Sequence, residues 1–101
     1  MRLSVSEQNA IRDAVKKELG TVELYLFGSR TDDNKKGGDI DLLVVSENDS
    51  EKLNHMRRAT AILVEIKSTI GEQKIDLLFA TREMLKSDPF YKTIFLVALN
   101  T

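Results

Sequence analysis

Apolar residues recur along this chain first with a helical period and then with the short, dense runs of strands. Ser4 followed by Glu7 has the spacing of a capping box, and Ile11, Ala14, Val15 and Leu19 then mark one face of a helix over about residues 4–19, which Gly20 stops. Residues 22–27 are rich in β-branched, aromatic and leucine side chains and end at Gly28, the pattern of a strand leading into a turn. A second strand is expected over residues 39–45. Leu53, Met56, Thr60, Leu63, Ile66 and Ile70 then predict one long helix over roughly residues 50–70, its stripe lying on the sheet. A third strand over 73–79, a helical turn at 81–85, a break at Asp88-Pro89 and a last helix over about 90–99 complete the order αββαβα. That order implies an α/β (α+β) fold in which helices pack on a small mixed sheet.

The strand at 39–45 carries a further implication. Asp39 and Asp41 share a face with Leu43 and Val45, while Ile40, Leu42 and Val44 fill the other, so both faces beyond the acidic end are apolar and need a cover. The C-terminal helix or a second protein is the expected cover on one side.

With 101 residues, the expectation is a single domain over residues 1–101. Apolar residues make up 42% and charged residues 31%, which excludes a disordered or collagen-like chain. Fifteen Lys and Arg stand against 16 Asp and Glu, so the basic excess of a protein that wraps long nucleic acid is absent. The lack of cysteine removes disulfides, thiol catalysis and Cys-ligated zinc. No signal-type leader or run of membrane-spanning length is read, and a soluble, cytoplasmic protein with no membrane partner is expected.

The candidate chemistry lies between the first two strands and on the third. Backbone N–H groups at the Gly28-Ser29-Arg30 turn should point outward from a strand-to-helix junction, which suits phosphate oxygens. Arg30 reads equally as a phosphate contact or as solvated surface. Asp39 and Asp41, two apart in a strand, have Cα atoms about 6–7 Å apart on one face and repel unless a cation lies between them. Asp76 sits inside the apolar run 74–79, where an unpaired carboxylate is costly, and is the third candidate ligand. Oxygen donors favour Mg²⁺ or Mn²⁺. His55 is expected to face water, Tyr25 to be packed, and Asp32, Asp33, Lys16-Lys17, Lys35-Lys36 and Arg57-Arg58 to be solvated charges.

Phe27-Gly28-Ser29-Arg30, followed by Gly38-Asp39-Ile40-Asp41-Leu42-Leu43-Val44 and by Asp76, resembles the signature of the DNA polymerase β superfamily of nucleotidyltransferases. The wording is most similar to the minimal nucleotidyltransferase family, the antitoxin half of HEPN/MNT toxin–antitoxin pairs. The resemblance covers residues 22–79 and departs at Gly38, where many members have serine. It implies a polymerase-β-like fold, Asp39, Asp41 and Asp76 as catalytic ligands of two Mg²⁺ ions, and Gly28, Ser29 and Arg30 as the nucleotide-binding turn. It further implies ATP as substrate and transfer of AMP to a hydroxyl of a HEPN ribonuclease toxin. An aminoglycoside-type transferase and a non-catalytic module that acts by occlusion are the alternatives.

Overall fold

The computed structural model describes residues 4–27, 40–97 and 99–100. Helix α1 spans Val5–Leu19, and both halves of the capping box form: Glu7 N–H donates to Ser4 Oγ at 3.1 Å, and Ser4 N–H donates to Glu7 Oε1 at 3.0 Å. Gly20 ends the helix at φ 76°, a conformation that strains residues with a Cβ. Strands β1 (Glu23–Phe27) and β2 (Ile40–Ser46) follow, then α2 (Asp49–Met56), α3 (Ala59–Ile70), β3 (Ile75–Thr81), α4 (Arg82–Ser87), α5 (Pro89–Val97) and the two-residue β4 (Leu99–Asn100). The sheet order is β3-β2-β1-β4, with β1 antiparallel to β2 and β4, and β2 parallel to β3. The fold is thus a small mixed α+β sheet with helices packed on it, as expected.

Two elements differ from the expectation. The long helix over 50–70 is two helices, α2 and α3, separated at Arg57 and Arg58. Arg58 lies at φ −95°, ψ 0°, and its N–H donates to His55 O at 3.0 Å, closing a tighter turn than an α-helix makes. The break shifts the phase of the two stripes. Leu53 and Met56 are consequently 51% and 47% exposed, and His55 is the residue that α2 buries. The last helix ends at Val97, and Leu99–Asn100 pairs with β1 instead of continuing it.

The sheet buries both of its faces. On one, Leu24, Leu26, Ile40, Leu42, Val44, Ile75 and Phe79 pack under α1 and α3, which contribute Ile11, Ala14, Val15, Ile62 and Ile66. On the other, Leu43, Val45 and Ala80 meet Leu85 of α4, with Tyr25, Phe27, Leu78, Met84 and Tyr91 half-buried around them. The C-terminal helices supply this second cover, one of the two covers the sequence allowed. Among the described residues, no helix is long and apolar enough to cross a membrane.

Candidate active site

The parallel ladder begins where Ile40 N–H donates to Lys74 O at 3.0 Å. One residue further along, Asp41 and Asp76 are register partners, and Phe27 is the partner of Asp41 across the antiparallel side. Adjacent strands lie about 4.8 Å apart, so the two carboxylates leave the same face of the sheet side by side. That face is the one bearing Leu43, Val45, Leu78 and Ala80, and the acids occupy its outer end. Asp41 is half-buried and Asp76 exposed.

Two like charges facing each other across a ladder destabilise it. A divalent cation held by both would reverse the sign of that contribution, and carboxylate oxygens are the donors that Mg²⁺ and Mn²⁺ prefer. The described members of the expected ligand set therefore fit such an ion. Asp39, Gly28, Ser29 and Arg30 lie outside the described residues. Among those described, no group of three or more His, Cys, Asp or Glu is arranged to hold a metal.

Several polar contacts escaped the sequence reading. His55 is 8% exposed rather than solvated, and its Nδ1 lies 2.8 Å from Oγ of Ser46, itself buried. Arg82 bridges two strand ends, with Nη2 2.6 Å from Glu23 Oε1 and Nε 2.8 Å from Glu47 Oε1. The Arg82 bond holds the Glu23 carboxyl below its usual range against an opposing push from burial, and the Tyr25 hydroxyl, donating at 3.1 Å, helps. Burial, and then the bond to Glu23, raises the pKa of Tyr25. These contacts belong to the sheet end opposite Asp41 and Asp76. No spacing motif announces them, since they join residues brought together only by the fold. Arg58 also pairs with Glu18 at 3.7 Å and Lys17 with Glu65 at 3.4 Å, both at the surface.

No curated protein matches the chain. The family model of the nucleotidyltransferase domain matches residues 9–97, which include the Gly28-Ser29-Arg30 turn and Asp39, Asp41 and Asp76. With that match spanning most of its length, and with a small mixed sheet of the polymerase-β-like kind beneath it, the chain belongs to the nucleotidyltransferase domain family.

Proposed function

We propose that this chain transfers a nucleoside monophosphate, AMP from ATP, to a hydroxyl of a partner protein, and that the modification neutralises a HEPN ribonuclease toxin. The observation that carries the transferase reading is the register partnership of Asp41 and Asp76 within a nucleotidyltransferase domain. The protein acceptor and the antitoxin role rest on the resemblance of the Phe27-Gly28-Ser29-Arg30 and Gly38-Asp39-Ile40-Asp41 segments to minimal nucleotidyltransferases.

Asp39, Asp41 and Asp76 would hold two Mg²⁺ ions, or Mn²⁺. Bound there, the ions supply positive charge that keeps the attacking and leaving oxygens in line and offsets the charge developing on the phosphoryl group. The Ser29 hydroxyl and backbone N–H bind the β- and γ-phosphates, Gly28 permits their close approach, and Arg30 adds charge. Asp76, the more exposed of the described pair, accepts the proton of the attacking hydroxyl. The hydroxyl oxygen bonds to the α-phosphorus as the bond to the departing pyrophosphate breaks.

The test is to incubate a HEPN partner with this protein, ATP and Mg²⁺. The partner should gain the mass of one or more nucleoside monophosphates and stay inactive once the two are separated, whereas Asp76→Ala protein should leave it unmodified. Equal silencing by Asp76→Ala with no mass change would establish occlusion instead.

A further inference from the structure

Ser46 ends β2 five residues beyond Asp41, which puts the opposite end of the sheet about 16 Å from the carboxylates. There the end of α1, the end of α2 and the turn that leads into α3 surround an open cavity of about 400 Å³, lined by Glu18, Leu19, Asn54, His55, Arg57 and Arg58. Its lining has two guanidinium groups against one carboxylate, in a protein whose net charge is −1.

Three observations converge on this cavity. His55 is more than nine-tenths buried and is held through Nδ1 by Ser46, while its other ring nitrogen has no hydrogen-bond partner among the described residues. The Arg57 side chain has no ion pair or hydrogen bond among the described residues, and Arg58 reaches only Glu18, at 3.7 Å, longer than a hydrogen bond. Helix α3 starts next to the lining residue Arg58 without a side-chain cap, and its first helical bond is donated by Ile62 N–H to Arg58 O at 3.0 Å, so the N–H groups of Ala59, Thr60 and Ala61 have no partner among the described residues. Unpaired N–H groups at a helix start, with cations beside them, favour an anion with several oxygens.

We propose that this cavity is a second phosphate-binding site, separate from the carboxylates. Arg57 and Arg58 supply the charge, the start of α3 supplies N–H donors, and the free ring nitrogen of His55 closes the set. A cation would meet two guanidinium groups there, and an apolar ligand would leave the donors unmet. Inorganic phosphate, pyrophosphate and the phosphates of a nucleotide share the required chemistry. Pyrophosphate is also what the proposed transfer releases, but the site does not depend on that reading.

The experiment titrates the ¹⁵N-labelled full chain, without divalent metal and at constant ionic strength, with phosphate, pyrophosphate and ATP in separate arms. Asp41→Asn/Asp76→Asn protein is titrated in parallel, so that failure of the active-site reading cannot disguise the result. Saturable shifts of the amides of residues 59–61 and of the His55 ring, the same in both proteins, are expected. Arg57→Ala/Arg58→Ala should weaken that binding by about tenfold or more while keeping a dispersed amide spectrum, and Arg57→Lys should weaken it less. Saturation by all three ligands identifies a general phosphoryl site, and by ATP alone a nucleotide site. Shifts that fail to saturate in every arm, or that persist unchanged in the double arginine variant, would overturn the proposal.

Discussion

Asp41 and Asp76 face each other across a parallel ladder, where positive charge shared by both would offset their mutual repulsion. Asp76→Asn should therefore lower transfer from labelled ATP by on the order of 100-fold or more, while the urea midpoint of the metal-free protein stays level or rises. Undiminished transfer would remove Asp76 from the site. The pair Ser46 and His55 answers to a different rule, because both partners are buried. Ser46→Ala strips the acceptor or donor from a buried imidazole and should cost about 1–3 kcal/mol in urea unfolding, with much of that loss recovered when His55→Leu is added. Glu23 gives a pH signature. Its carboxyl is more acidic folded than unfolded, so the stability it contributes is present above the unfolded value near 4.5 and is lost as pH falls through the folded value. Arg82→Met should abolish that component, leaving a shallower decline of melting temperature on acidification than the parent shows. The effect will be small, since Glu23 and Arg82 are both more than a third exposed.

The elements were legible in the sequence wherever a local rule decides them. The capping box at Ser4 and Glu7 needs only two side chains three residues apart, and Ser4→Ala should cost about 1 kcal/mol of thermal or urea stability. The first three strands announced themselves through dense β-branched and leucine runs, with ends within two residues of those expected, whereas β4 falls where a helix was expected. The division between α2 and α3 was illegible because Arg57 and Arg58 are good helix formers and no glycine or proline interrupts them. What separates the two helices is tertiary: Ser46 holds His55 from below while Ile62 and Ile66 set the phase of α3. Register was hidden for the same reason. The sequence places Asp41 and Asp76 each in a strand, but only the pairing of β2 with β3 shows that they are opposite one another.

For the whole molecule, charge and topology matter more than any one contact. With acids and bases nearly balanced, the sequence carries no basic excess, and a labelled duplex is expected to show no saturable anisotropy change at about 0.15 M salt. Tight, salt-sensitive binding would reopen the acceptor question. Topology bears on how long the chemistry survives stress. Among the described residues β3 lies at an edge of the sheet, paired with β2, and it carries one of the two facing acids. Edge elements can open at a lower free energy than the whole domain. Peeling β3 from β2 would pull the carboxylates apart while β1 and β2 stay paired. The proposed transfer should then fail first, at urea concentrations where far-ultraviolet circular dichroism still reports most of the native helix, and should return on dilution without a global refolding step. If the two acids act together as proposed, a chain built this way should shut off reversibly before it unfolds.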